Sequence, residues 1–166
     1  MHPVLPSHAA ILIIGGGISG CSIAYHLAKR GVEDVVLLER KQLTCGTTWH
    51  AAGLVSMLWP TPTLTNLAKY SHQLYASLEA ETGQATGYRR TGSLSLARTE
   101  ERLEELLRTA SVISGFGVDC EMISLERLAE LYPGINTDGV LGTLHIKADG
   151  QTNPVDTTMA LAKGAR

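Results

Sequence analysis

The chain has 166 residues, 44% of them hydrophobic and 18% charged, and its formal net charge is −2. Scattered basic residues and a slightly acidic balance exclude a nucleic-acid-binding surface, and no apolar run approaches the length needed to cross a bilayer. A complete doubly wound dinucleotide fold with a substrate domain takes roughly twice this length or more, so the chain is expected to be truncated and to hold part of one.

Residues 1–10 are too short and too poor in Arg for a mitochondrial transit peptide and carry no secretory pattern. The expected compartment is therefore the cytoplasm, with the mitochondrial matrix as the alternative. A short apolar strand over 10–14 runs into Gly15-Gly16-Gly17-Ile18-Ser19-Gly20, a helix follows over 18–30, and a second apolar strand over 35–39 ends at Glu39-Arg40. Strand, glycine turn, helix, strand and acid form the recipe for gripping a dinucleotide. Gly15 permits the tight turn, Gly17 lets the backbone approach a pyrophosphate, and Gly20 lets the helix pack on the strand. The helix N-terminus aims its free N–H groups at the phosphates, and Glu39 stands where a carboxylate accepts hydrogen bonds from an adenosine ribose. Tyr25 and His26 are expected to pack against the sheet.

After a long loop over 40–60, Thr61-Pro62 reads as an N-cap and first-turn proline for a helix to about residue 81. Leu64, Leu67, Ala68, Ser71, Leu74, Tyr75 and Leu78 fall at helical spacing and form its expected core face. Residues 83–98 hold one or two short strands, clearest over 92–97. Thr99 caps an acidic first turn of a helix to about residue 114, residues 120–123 are extended, and Ser124 starts a short helix that Pro133-Gly134 ends. Residues 140–146 alternate like an edge strand. Asn153-Pro154 starts a last helix that runs to the end of the sequence.

Three cysteines, Cys21, Cys45 and Cys120, odd in number and widely spaced, read as reduced thiols and not as a disulfide framework or a zinc site. Six scattered histidines show no metal-ligand spacing, so no metal is expected. His72 and His145 are read as structural or surface residues, and Cys45 as a small buried side chain.

The loop after Glu39 contains Thr44-Cys45-Gly46-Thr47-Thr48-Trp49-His50-Ala51-Ala52-Gly53-Leu54. So many Gly, Ala and Thr residues leave backbone N–H groups and hydroxyls with little bulk around them, which suits the diphosphate and ribityl chain of a flavin. Trp49 and His50 are outliers in such a loop and imply something packed against them.

The chain resembles the FAD-dependent dimethylglycine and sarcosine dehydrogenases within the D-amino-acid-oxidase-like flavoproteins. The resemblance is carried by the glycine run Gly15 to Gly20, Tyr25-His26-Leu27-Ala28, Leu38-Glu39-Arg40, the stretch from Gly46 to Leu54, Glu81-Thr82-Gly83, Tyr132-Pro133, and Asp149-Gly150 through Asn153-Pro154 to Ala160-Leu161-Ala162. Thr47-Thr48-Trp49-His50-Ala51-Ala52-Gly53 is its most specific part. The resemblance implies covalent attachment of FAD, through its 8α-methyl carbon, to a ring nitrogen of His50. It likewise implies FAD contacts from Ile18, Ser19, Glu39 and Arg40 and from the backbone of Gly46, Thr47, Thr48, Trp49, His50, Ala51, Ala52, Gly53 and Leu54. It further implies an N-methyl amine substrate that gives a hydride to the flavin. The resulting iminium is hydrolysed to formaldehyde or handed to tetrahydrofolate in a further domain. An acceptor such as electron-transfer flavoprotein takes the electrons.

The expected architecture is α/β: a Rossmann-like, doubly wound parallel FAD sheet with part of an α+β cap or substrate region, incomplete in this chain. Residues 8–60 form the FAD-binding βαβ core and flavin loop, 61–146 belong to the cap or substrate region, and 147–166 begin a further helix of the FAD domain. The family's substrate-gripping residues map beyond residue 166, so no catalytic residue is assigned, and turnover by this chain alone is not expected. Two other readings are open. One is a regulatory relative similar to the pyruvate dehydrogenase phosphatase regulatory subunit, which keeps the fold without the covalent histidine. The other is an NAD-dependent dehydrogenase, which Glu39 would suit equally well.

Overall fold

The computed structural model describes residues 6–166, so the first half of the leader segment lies outside the described residues. The first elements in chain order are β1 (Ile11–Ile14), α1 (Ile18–Lys29), β2 (Val35–Leu38), a 3-10 turn (Thr48–His50), β3 (Leu54–Val55) and α2 (Pro62–Thr82). They are followed by β4 (Ser93–Ala97), α3 (Glu100–Gly115), β5 (Cys120–Ile123), α4 (Leu125–Leu131), β6 (Gly142–Ile146), β7 (Gly150–Gln151) and α5 (Pro154–Gly164). The architecture is mixed α/β, and the chain divides into two compact units.

The first unit comprises Met1–Gly53, Leu74–Tyr88 and Thr152–Arg166. β1 and β2 pair in parallel with Ile11 opposite Val35 and Ile14 opposite Leu38, and α1 supplies the crossover that a parallel pair needs. A Schellman motif ends α1: Gly31 adopts φ +71°, its N–H donates to the Ala28 carbonyl, and Val32 N–H donates to that of Leu27. Cys21 and Tyr25 on α1, Leu74 and Leu78 on α2, and Ala160 and Leu161 on α5 form the core. Tyr25 is fully buried in this core, against which the partly buried Leu37 of β2 also packs. Its hydroxyl donates to Glu81 Oε1 at 2.6 Å and accepts from Lys29 Nζ at 2.9 Å. Burial, then the bond to Glu81, pushes the Tyr25 phenol upward. The Asn153 side chain caps α5, accepting from Val155 and Asp156 N–H, with Pro154 as first helical residue.

The second unit comprises Leu54–Gln73 and Arg89–Gln151. β3 and β7 form a short antiparallel ladder, and β4, β6 and β5 form a three-stranded antiparallel sheet in that order. Thr99 and Ser124 cap α3 and α4 through their side chains, as expected. Leu106 and Ile113 of α3 pack with Ala97, Leu144 and Ile146 of the sheet in its core.

Three sequence expectations are corrected. β6 is the central strand, not an edge, and Thr143, Leu144 and Ile146 are buried. Alternation along a strand reports which face is covered and is blind to how many strands flank it. Loop 40–60 is not featureless, since it contains the 3-10 turn and β3. On α2, Leu64 and Leu67 are 40% and 59% exposed, whereas Thr65 and His72 are buried. Hydropathy counts both as surface residues, yet each finds a polar partner inside. Thr65 Oγ1 donates to the Thr61 carbonyl at 2.9 Å and the Val55 backbone hydrogen-bonds His72, while burial holds the His72 imidazole below its usual pKa.

Asp149 ties this unit together. Its buried carboxylate accepts from Met57 N–H at 2.6 Å, Ser56 Oγ at 3.0 Å and Ser93 Oγ at 2.6 Å, and its carbonyl accepts from Gly92 N–H at 2.8 Å. Removing the carboxylate strands three donors, each costing about 1–3 kcal/mol if left without water. Asp149→Ala is therefore expected to lower stability by about 3 kcal/mol or more in urea denaturation, and Asp149→Asn by less.

Candidate functional site

The site belongs to the first unit and is built on a turn that only glycines can form. Gly15 adopts φ +110°, a conformation closed to ordinary residues, and its N–H donates to the Leu38 carbonyl at 2.8 Å. At Gly20 the obstacle is space, because a Cβ there would lie 2.0 Å from the Gly15 carbonyl oxygen. The turn thus folds back until the start of α1 touches the end of β1.

Gly16, which the sequence analysis left out of the site, is its hub. Its N–H donates to Glu39 Oε2 at 2.9 Å, and its carbonyl accepts from Thr44 N–H at 2.9 Å and Cys21 Sγ at 3.7 Å. A Cβ on Gly16 would meet Leu43 Cδ2 at 2.5 Å, so the middle glycine of three in succession was the available signal. Glu39 Oε1 accepts from Lys41 N–H at 3.1 Å and Cys45 Sγ at 3.5 Å. The bond from Gly16 N–H, followed by that from Lys41, holds the Glu39 carboxyl below the usual carboxylate range. Cys45 is half-buried, not buried as expected, because its thiol reaches toward this carboxylate. Arg40 is exposed just past β2.

The loop after β2 returns to the N-terminus of α1. Thr44 is buried at φ +73°, a strained backbone for a β-branched residue. Thr48 is buried too, and its Oγ1 accepts from Ile18 N–H at 3.0 Å. Gly46, Thr47, Trp49, His50, Ala51 and Ala52 are exposed, as is Ser19 in the first turn of α1. The Trp49 and His50 rings stack with centroids 3.9 Å apart. The loop ends at Gly53, buried at φ +77°, whose carbonyl accepts from Thr152 N–H at 2.8 Å and where a Cβ would lie 2.1 Å from the Thr152 oxygen. Leu54 falls in the second unit, on β3, and is 78% exposed.

These residues fit a dinucleotide. A Cβ at Gly15 or Gly46 would meet nothing within 4 Å, so the backbone there faces open space beside a helix N-terminus that has no side-chain cap of its own. Glu39 Oε2, which accepts from Gly16 N–H, has a second lone pair for a ribose hydroxyl. A separate groove of about 970 Å³ runs along β2 and the C-terminal ends of α1 and α5; it includes Glu39 but neither Gly15 nor His50. Among the described residues, no group of three or more His, Cys, Asp or Glu could hold a metal, and no helix is long and apolar enough to cross a membrane.

The family model for FAD-dependent oxidoreductases matches residues 10–166. The chain belongs to this family. It is 46% identical over 162 residues to the formaldehyde-forming 4-methylaminobutanoate oxidase of Paenarthrobacter nicotinovorans, covering 98% of this chain and 20% of that protein. It is 44% identical over 164 residues to the mitochondrial dimethylglycine dehydrogenase of Rattus norvegicus, covering 99% and 19%. It is also 43% identical over 161 residues to the mitochondrial pyruvate dehydrogenase phosphatase regulatory subunit of Mus musculus, covering 97% and 18%. The chain thus spans about a fifth of the length of these relatives. Among solved structures, the L-proline dehydrogenase of P. horikoshii superposes with a TM-score of 0.90 at 29% identity, over 97% of this chain and 42% of that one. The family's FAD dependence agrees with the open glycine turn.

Two outcomes test this FAD-family site. Gly53→Ala forces a Cβ onto the Thr152 carbonyl at a positive φ, and is expected to cost about 1–3 kcal/mol in denaturant titration. Glu39→Gln tests the electrostatics. A carboxyl held below its ordinary value adds stability that is complete above the ordinary range and disappears as pH falls through the depressed value. Thermal melts should therefore show wild type above Glu39→Gln near neutral pH, the gap closing as acid protonates the wild-type carboxylate.

Proposed function

We propose that the chain carries the FAD-binding part of an enzyme that oxidises the C–N bond of an N-methylated amino acid, sarcosine or dimethylglycine, with the flavin joined covalently to His50. The observation that carries this is the exposed His50 imidazole, presented by a short turn whose other polar side chain, Thr48, is bonded to the N-terminus of the helix behind the glycine turn. An exposed ring on an ordered turn is what a covalent link to a cofactor needs.

Gly15, Gly17, Ile18, Ser19 and Gly20 would hold the pyrophosphate at the start of α1, with Glu39 and Arg40 at the adenosine end. The stretch from Gly46 through Thr47, Thr48, Trp49, His50, Ala51 and Ala52 to Gly53 would line the ribityl chain and ring, and Leu54 follows it. The cofactor supplies a two-electron acceptor for hydride. In forming the link, a ring nitrogen of His50 gives up its proton and bonds to the 8α carbon, which gives up one hydrogen. The two electrons left on the flavin pass to molecular oxygen or to the acceptor used in turnover. An electron-withdrawing imidazole then favours oxidation of a poor hydride donor.

The substrate leaves as an iminium whose hydrolysis releases formaldehyde; tetrahydrofolate in a further domain would take the one-carbon unit instead. The names of the oxidase and dehydrogenase relatives support the N-methyl amine class. An acceptor such as electron-transfer flavoprotein fits a dehydrogenase. The compartment we favour is the cytoplasm, with the mitochondrial matrix as the alternative, since the rat relative is named as mitochondrial. A second reading, a flavin-binding regulatory protein, is favoured by the 43% identity to the phosphatase regulatory subunit. Bound flavin without turnover of any methylated amine by the full-length protein would support it.

Acid precipitation of the full-length protein, followed by mass spectrometry of the peptide carrying His50, tests the proposal. The expected result is a yellow pellet with a flavin-sized mass addition on His50, and release of the flavin to the supernatant in His50→Ala. Flavin released by wild type overturns the covalent link, and absence of flavin from both fractions overturns the cofactor assignment.

A further inference from the structure

The first turn of α1 begins at Gly17, which offers no side chain to take up the free N–H groups of the helix end. One of them is taken by a residue distant in sequence: Thr48 Oγ1 accepts from Ile18 N–H at 3.0 Å, and Thr48 is 9% exposed while its neighbours Thr47, Trp49 and His50 are exposed. The contact is close enough that a Cβ on Gly17 would lie 3.0 Å from the same oxygen. Thr48 opens the 3-10 turn that closes at His50, and two of the turn's backbone bonds, His50 N–H to Thr47 O at 3.1 Å and Ala51 N–H to Thr48 O at 3.1 Å, fix the His50 backbone relative to that of Thr48.

From this geometry we infer that Thr48 is a positioning residue: its hydroxyl caps α1 from outside the helix and thereby fixes the turn that presents His50 for covalent attachment. The inference rests on the covalent-flavin reading for its chemical consequence, but not for the cap. Threonine suits the role because its buried hydroxyl accepts the helix N–H. The Trp49 and His50 rings stack at 3.9 Å, and Thr48 anchors the turn that carries both to the start of α1.

The test uses the full-length protein with Thr48→Val, which keeps the volume and removes the acceptor, and Thr48→Ser, which keeps the hydroxyl. Hydrogen exchange of peptides covering residues 15–21 and 46–52 is read without cofactor, and acid-stable and total flavin are read in the holoprotein. Thr48→Val is expected to exchange about fivefold or more faster in both peptides, as loss of a helix cap implies. The acid-stable fraction of the FAD it binds should fall about tenfold or more, since small misplacement of a reacting group is costly. Thr48→Ser should restore both. Wild-type exchange in Thr48→Val overturns the inference, and so does faster exchange with an unchanged acid-stable fraction, which would leave Thr48 a helix cap only. A wild-type protein with no covalent flavin overturns the covalent reading before any variant is made, and the exchange rates then still decide whether Thr48 orders the turn.

Discussion

The carbonyl oxygen of Gly15 lies 2.0 Å from where residue 20 would carry a Cβ, and this close approach of backbone to backbone is the constraint on which the first unit is arranged. It brings the start of α1 against the end of β1, leaves the N–H groups of the helix facing outward, and places Gly16 where its amide can reach Glu39 at the end of β2. Any side chain at position 20 would push the helix off the strand and break the reach to Glu39. Glycine is entropically costly in a folded chain, so three in succession persist only where each is required.

The same junction organises the loop that follows. Gly16 O holds Thr44 and Ile18 N–H holds Thr48, so the loop is fastened twice to the glycine turn before it presents His50, and a third time at Gly53, whose carbonyl meets Thr152. The residues between these fastenings are small apart from Trp49 and His50, and exposed apart from the half-buried Cys45. A rigid frame with an open interior is what preorganises a cofactor site, because the cost of ordering the loop is met during folding and not at binding. The strained Thr44 backbone fits this account: strain survives where neighbouring hydrogen bonds over-determine the conformation.

Buried polar groups in each unit are matched in the same manner. In the first, Tyr25 reaches out of the helical core to Glu81 and Lys29. In the second, Asp149 gathers donors from Ser56, Met57 and Ser93, joining the exit of β3 to the start of β4. Such groups stabilise little in net terms when paired, but a register that left them unpaired would be costly, so they discriminate between alternative packings.

The sequence by itself determined the local features: the glycine turn between two apolar strands and the helix N-caps at Thr99, Ser124 and Asn153. Each depends on a few adjacent residues whose conformational preferences act within one turn of chain. Family membership was legible too, since the stretch around His50 is specific. Only the tertiary structure decided that β6 is central, that Thr65 and His72 face inward on α2 while Leu64 and Leu67 do not, that Gly16 is the partner of Glu39, and that Thr48 caps α1. These rest on contacts between residues distant in sequence: Gly16 and Glu39 are 23 positions apart and Ile18 and Thr48 are 30. Periodicity records the polarity of a position, whereas a buried hydroxyl or imidazole is stabilised by a partner that only the fold brings within reach.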